Sequence, residues 1–212
     1  MFYPELIKDF NGCSVLDIGC GQGVVSLSLA PCSKCILGVD INEENLKLAR
    51  REAERLGLTN VRFRKLSAYD LRPIEHYDVI ILSDVLEHVR DQRLLLERCI
   101  EMVSPDGVIY LNTPNKWFPM EPHKHLPFLS YLPKSIANHY AKAFGKGSYD
   151  DYHLLSYNQF CELLDSLPIR YTLKTQPNPD RRLYHIGNPL ITNAPFLWRF
   201  ANAFQVIIQR NY

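Results

Sequence analysis

The sequence predicts an α/β protein built on a doubly wound sheet of seven strands, mostly parallel with an antiparallel edge strand, and with helices on both faces. Three observations carry this. Over the first 112 residues, five short apolar runs alternate with helical patterns, as parallel strands joined by crossover helices do. The first run breaks directly into a glycine cluster, and the first two carry acids at or near their ends. Two later runs, at 169–174 and 204–210, are placed to pair antiparallel at one edge.

The elements follow in order. Residues 2–10 read as a short helix. SVLDI (14–18) is a buried strand entering a tight turn, and VVSLSLA (24–30) is a helix. CILGVD (35–40) is the second strand. Asn42 caps the next helix, with Glu43 and Glu44 at its positive end. Leu46, Ala49, Ala53 and Leu56 recur at helical spacing, and Gly57 closes it. VRFRKL (61–66) alternates like a strand. YDVIILSD (77–84) is a continuous apolar run suited to the centre of a parallel sheet. Residues 91–103 are helical, SPDG (104–107) is a turn, and VIYLN (108–112) is the fifth strand. Residues 113–150, rich in Pro, aromatics, Lys and His, form a partly helical insertion over the sheet. A helix at 156–166, capped by Ser156, precedes the sixth strand. Residues 175–192 read as a loop and 193–202 as a short helix before the last strand. The whole, 1–212, is expected to be one domain with a lid at about 113–150.

Composition narrows the function. Net charge is +1 over 212 residues, so the chain as a whole is no electrostatic binder of nucleic acid or membrane. No run approaches 18 apolar residues, and the N-terminus lacks a secretory pattern. Six scattered cysteines (13, 20, 32, 35, 99, 161) read as small buried hydrophobes in a reducing, cytoplasmic setting. Cys32 and Cys35 form a C-x-x-C without the second pair a zinc site requires.

Val15-Leu16-Asp17-Ile18-Gly19-Cys20-Gly21-Gln22-Gly23 is the most informative stretch. Glycines at 19, 21 and 23 let a ligand approach the backbone at the carboxyl end of the first strand. Asp40 ends the second strand, where a carboxylate can accept both hydroxyls of a ribose. The pattern is G-x-G-x-G with an acid two positions before the first glycine, not the G-x-G-x-x-G of dinucleotide sites. Asp17 would repel a pyrophosphate, which wants N–H groups and a helix N-terminus, but could help hold an ammonium. A turn that merely packs helix on strand, or a site for another nucleotide, are the competing readings.

VLDIGCGQG, GVDIN and DVIILSDVLEHV resemble the first, second and fourth motifs of class I methyltransferases dependent on S-adenosylmethionine (SAM), a likeness covering about residues 12–112 and implying a Rossmann-like sheet. It implies that Asp17, Gly19, Cys20, Gly21 and Gly23 line the methionine part of SAM, that Asp40 takes the ribose, and that Ile41 packs on the adenine. Ser67-Ala68 stand where many members have Asp-Ala, which leaves Ser67, Ala68 and Tyr69 as the adenine candidates. Ser83 would face the cofactor, and S-adenosylhomocysteine (SAH) would be the product.

The acceptor is less constrained. Ser83-Asp84-Val85-Leu86 replaces the Asn/Asp-Pro-Pro-Tyr/Phe of enzymes that methylate base amines or protein amides. Asp84, Glu87 and His88 form D-x-x-E-H, similar to the metal-binding E-x-x-E-H of quinone-pathway O-methyltransferases. Residues spaced i, i+3 and i+4 share a helix face, so the three could meet one divalent ion; a helix N-terminus with a core histidine explains them without a metal. The insertion carries five Lys against Glu121 and Asp150, a formal +3. It suits an anionic or amphipathic acceptor such as a phosphorylated or lipid-linked sugar, or is an ordinary solvated loop. His123, His125, His153 and His88 are the candidate bases. The P-x-E-x-H…LPFL…LP pattern is also similar to a group of bacterial and archaeal methyltransferases associated with cell-surface glycans or lipids. Aromatic residues at 196, 198, 200 and 204 suit an edge helix and last strand, or a membrane-surface helix. The expectation is O-methylation of a small-molecule, glycan or lipid-linked acceptor. A non-catalytic SAM-binding subunit and an RNA or protein methyltransferase are the alternatives.

Overall fold

The computed structural model describes residues 10–175, 201 and 203–211. The helix expected at 2–10, the loop at 175–192 and the helix at 193–202 fall almost wholly outside them, as do the aromatics at 196, 198 and 200.

Seven strands form one sheet: β1 (Ser14–Ile18), β2 (Cys35–Asp40), β3 (Val61–Lys65), β4 (Tyr77–Ser83), β5 (Val103–Pro114), β6 (Ile169–Thr175) and β7 (Ala203–Arg210). Their order is β3-β2-β1-β4-β5-β7-β6. The first five pair in parallel. β7 runs against both β5 and β6, so the expected antiparallel pairing is present at that side. The helices are α1 (Val24–Leu29), α2 (Glu43–Arg55), α3 (Gln92–Met102), α4 (Lys134–Ala143) and α5 (Tyr157–Asp165). Among the described residues no helix is long and apolar enough to cross a membrane.

Alternation along the strands sorts the core into two layers. In β4, Val79 and Ile81 join Leu29, Leu46 and Ala49 of α1 and α2 on one face. Ile80 and Leu82 join Leu95, Leu96 and Cys99 of α3 and Phe160 and Leu164 of α5 on the other. β4 is thus buried on both sides, which is why its sequence is uninterruptedly apolar. Phe160 stacks on Phe204 of β7, ring centroids 5.2 Å apart, and fixes α5 over the antiparallel pair.

Local chemistry sets the helix starts. Asn42 accepts from the N–H groups of Glu44 and Asn45 at the head of α2. Asp91 accepts from Leu94 N at the head of α3. Ser156 and Gln159 form a reciprocal capping box on α5.

One expectation fails. Ser104–Gly107 is not a turn separating α3 from a strand; β5 begins at Val103. Tyr77 pairs with Val103 and Val79 with Val108, so the intervening residues bulge out of a ladder already under way. The turn residues are real, but the sheet absorbs them.

Candidate functional site

Neighbouring crossovers leave β1 toward α1 and β4 toward α3, on opposite faces, so a crevice opens at the carboxyl ends of these two strands. The glycine turn lies there. Gly19 N and Cys20 N both donate to Val39 O, at 2.8 and 3.0 Å, which docks the turn on β2. Gly19 has φ +69, and a Cβ there would lie 2.3 Å from Val85 Cγ2, so no other residue fits. At Gly21, φ +53, an added Cβ would meet nothing within 4 Å. The first glycine is needed for packing, whereas the second leaves open space. Gly23 immediately precedes α1 in the left-handed conformation, and Cys20 is half-buried.

Both acids brace this turn. Asp17 is buried and accepts from Ser26 Oγ of α1 at 2.6 Å. Burial pushes its carboxyl up to about 6, against the pull of hydrogen bonds from the Ser26 hydroxyl and N–H. Asp40 takes Gly21 N on Oδ2 at 2.8 Å and Asn42 N on Oδ1 at 2.7 Å. Each Asp40 oxygen thus already holds one backbone N–H and keeps a second lone pair for a ligand. Ile41, next in the chain, is 69% exposed beside it.

Ser67 caps a 3-10 turn at Ala68–Asp70 and accepts from Tyr69 N. The Tyr69 hydroxyl accepts from Arg90 N at 2.8 Å, which ties this turn to the chain before α3. Ser83 closes β4 and donates to Asp84 Oδ2 at 3.4 Å.

The second group of residues lies after β4. Asp84 has φ +55, and the following 3-10 turn spans only Leu86–His88. The helix face expected to unite Asp84, Glu87 and His88 is therefore not formed. Asp84 turns to Asn112, whose Nδ2 donates to it at 2.8 Å. Enclosure, and then the charge of Glu87, pushes its carboxyl up to about 6. Glu87 is fully buried and meets His123 instead, with Oε1 3.3 Å from Nε2. Thr113 Oγ1 donates to Glu87 Oε2 at 3.0 Å. On its other side His123 Nδ1 lies 3.0 Å from buried Glu121 Oε1. Burial alone would lower the His123 pKa, but the two carboxylates outweigh it and hold the ring up to about 9. His123 is an imidazolium clamped between two buried acids. The rings of His88 and Tyr152 lie 5.2 and 4.7 Å from it.

Glu87, His88 and His123 each offer a ligand atom within 4.8 Å of the others. They could hold one divalent ion if His123 gave up its proton, with the deeply buried Glu87 Oε1, which no hydrogen bond satisfies, as the anionic ligand. His153 stands beside this cluster: its backbone N donates to Glu87 O at 2.6 Å, and burial lowers its ring pKa. His125 lies on an exposed bend with φ +55, its N–H bonded to Glu121 O.

A family of sequences described as "Methyltransferase domain" matches residues 9–158. The chain belongs to this methyltransferase-domain family. A ubiquinone biosynthesis O-methyltransferase of Leptothrix cholodnii is 33% identical over 114 residues, 53% of this chain and 48% of that protein. One from a Shewanella species is 36% identical over 106 residues, 50% of this chain and 45% of that protein. The chain spans about half the length of these curated relatives. Among solved structures, a SAM-dependent methyltransferase of Mesorhizobium loti superimposes with a TM-score of 0.70 at 16% identity, over 97% of this chain and 96% of that one.

In this methyltransferase domain, sequence reasoning missed Glu121, Thr113 and Tyr152. Glu121 was visible as the acid two residues before His123, but only as one charge in a polar segment. Its burial arises because residues 119–128 fold back on themselves, with Glu121 N bonded to Leu126 O and Phe128 N to Pro119 O.

Two outcomes follow from these buried charges. His123→Ala leaves Glu87 and Glu121 facing each other without a cation and should cost about 3 kcal/mol at pH 6 by chemical denaturation. Because His123 is raised above its unfolded value, its contribution is complete below about 6.5 and is lost as pH rises through about 9, so the gap to wild type should narrow there. Asp17 is a raised acid: the folded protein holds its proton more tightly than the unfolded chain, so stability falls as pH rises from about 4 to about 6. Asp17→Asn should remove that slope and be the more stable protein at pH 7.5 by on the order of 1 kcal/mol. Identical pH profiles for the two would show that Asp17 is not desolvated.

Proposed function

We propose that this methyltransferase domain moves the methyl group of SAM to a hydroxyl of a small-molecule, glycan or lipid-linked acceptor and releases SAH. The observation that carries this is the turn at Gly19–Gly23, open above Gly21 and braced by Asp17 and Asp40. Carboxylates on both sides suit a ligand that carries positive charge and a ribose, and oppose one that carries phosphates. The curated relatives are named as O-methyltransferases, which supports oxygen as the acceptor atom. A cytoplasmic protein of one domain, with residues 113–150 as its lid, belongs to the same reading; all six cysteines are free.

When bound, SAM supplies a methyl group already activated on a sulfonium. The chain's own residues align and shield. Asp40 takes the ribose hydroxyls on its spare lone pairs, and Ile41 with Ser67, Ala68 and Tyr69 borders the adenine. Gly19, Cys20, Gly21 and Gly23 give the methionine portion its bed, Asp17 holds that bed to α1 through Ser26, and Ser83 faces it from β4. An acceptor hydroxyl must lose its proton. His123 already holds one at neutral pH, so it cannot be the base. His88, exposed and in contact with the His123 and Tyr152 rings, is our choice to take it, and His153, beside the same cluster, is the alternative. His123 then orients His88 and tempers the charge of Glu87. His153 borders the acceptor, and His125, on its outward bend, takes no part.

Calorimetric titration with SAH tests the cofactor assignment. Asp40→Ala should weaken binding by about 1–3 kcal/mol, since charge-assisted hydrogen bonds are lost; unchanged affinity refutes the ribose role. His88→Ala should bind SAH as wild type does, yet transfer label from SAM to an acceptor in a metabolite extract at least ~100-fold more slowly. Full turnover in His88→Ala removes it as the base.

A further inference from the structure

Two histidines border the acceptor in the reading above, and each sits on a short irregular segment. His88 ends a 3-10 turn of three residues, Leu86–His88. His153 closes a stretch, 149–153, that is neither helix nor strand. Backbone in such a stretch is placed by whatever satisfies its N–H and C=O groups.

Here the partners are two side chains and the turn itself. From the α4 side, Lys134 Nζ bonds the carbonyls of Tyr149, Asp150 and Tyr152. From the α3 side, Gln92 Nε2 donates to His153 O at 2.7 Å, and the same nitrogen donates to Leu86 O at 2.9 Å. His153 N donates to Glu87 O at 2.6 Å. Both backbone groups of residue 153 are thus engaged with the turn that carries His88, one directly and one through a single amide. The Tyr152 ring follows, its centroid 4.9 Å from that of His88.

Two features set Gln92 apart from a residue that merely satisfies stray carbonyls. Both of its targets are acceptors, so both hydrogens of the amide are spent, whereas an acid or a hydroxyl has at most one to give. Its own base is also fixed. Gln92 opens α3, whose cap Asp91 accepts from Leu94 N. Just before it, the N–H groups of Arg90 and Asp91 donate to the Tyr69 hydroxyl at 2.8 and 3.3 Å. Tyr69 borders the adenine in the same reading. Hydrogen bonds therefore run from the cofactor border to the start of α3, and the Gln92 amide carries the connection on to both histidine segments.

We propose that Gln92 is a positioning residue for methyl transfer: its amide holds His88 and His153 at one spacing from each other and from the cofactor. It acts through the two histidines, not on the reacting atoms. The assignment rests on the reading that places the acceptor at these histidines.

Two variants test it. Gln92→Met keeps the length and neutrality of the side chain and removes both donors. Gln92→Lys restores donors, and Lys134 already shows an ammonium holding carbonyls of this segment. Gln92→Met should bind SAH in calorimetry as wild type does and keep the KM for SAM. It should nevertheless transfer label from SAM to the metabolite extract about tenfold more slowly at saturating SAM, because misplaced reacting groups lose rate and not affinity. Gln92→Lys should recover most of that rate. In NMR spectra of the protein alone, Gln92→Met should move the ring signals of His88 and His153 and leave those of exposed His76 and His139 in place. The proposal is overturned if Gln92→Met turns over as wild type does, or if it loses its fold or its SAH affinity. It is equally overturned if Gln92→Lys is as slow as Gln92→Met, or if the two ring signals stay where they were. Should wild type itself label nothing in the extract, the acceptor reading falls, and the ring signals alone decide whether Gln92 sets the two histidines.

Discussion

A contact that admits no side chain governs the end of this sheet where the glycine turn lies. Gly19 passes so close to Val85 that one added methyl would collide with it, while the N–H groups of Gly19 and Cys20 share the single carbonyl of Val39. The chain leaving β1 is thereby fixed against β2 on one side and against the residues after β4 on the other. Asp17, Asp40 and Asp84 take their positions from that junction. A larger residue at 19 would push β1 and β4 apart at the point where their crossovers diverge, and the crevice would lose its floor.

The junction also gathers negative charge. Asp17, Asp40, Asp84 and Glu87 lie at or beyond the carboxyl ends of the strands, and Glu121 lies in the segment after β5. Burial pushes Asp17 up to about 6, so the folded chain tolerates its charge poorly near neutral pH. Backbone N–H groups answer Asp40, and the His123 cation answers Glu87 and Glu121. The turn itself supplies no cation for Asp17. A ligand bearing ammonium and sulfonium charge meets that need, whereas a pyrophosphate would add to the repulsion.

The parallel half of the fold was legible because its signals are local. A run such as Tyr77–Ser83, short, continuous and rich in β-branched residues, suits a strand buried on both faces, and Asn42 and Ser156 cap the helices they precede. The glycine turn was legible for the same reason: G-x-G-x-G is a backbone statement. What escaped depends on contacts distant in sequence. Ser104–Gly107 carries turn chemistry, yet pairing of Val103 with Tyr77 draws it into β5 as a bulge. D-x-x-E-H suggests one helix face, but the left-handed backbone at Asp84 breaks the helix before it starts. Asp84 goes to Asn112 on β5, and Glu87 goes to a histidine 36 positions further on. Four histidines looked alike as bases in the sequence. Only the two buried carboxylates around His123 separate it from His88, and no spacing rule marks that pairing.

That separation comes from how residues 119–128 fold back on themselves. Glu121 N bonds to Leu126 O and Phe128 N to Pro119 O, which buries Glu121 and sets its carboxylate on His123 Nδ1, while Nε2 of the same ring meets Glu87 from the turn after β4. One imidazole thus answers two buried acids that come from segments far apart in sequence, and removing it would leave both carboxylates in the interior without a cation. The segment after β5 and the turn after β4 are held together by that shared ring more than by any apolar contact a hydropathy pattern could announce.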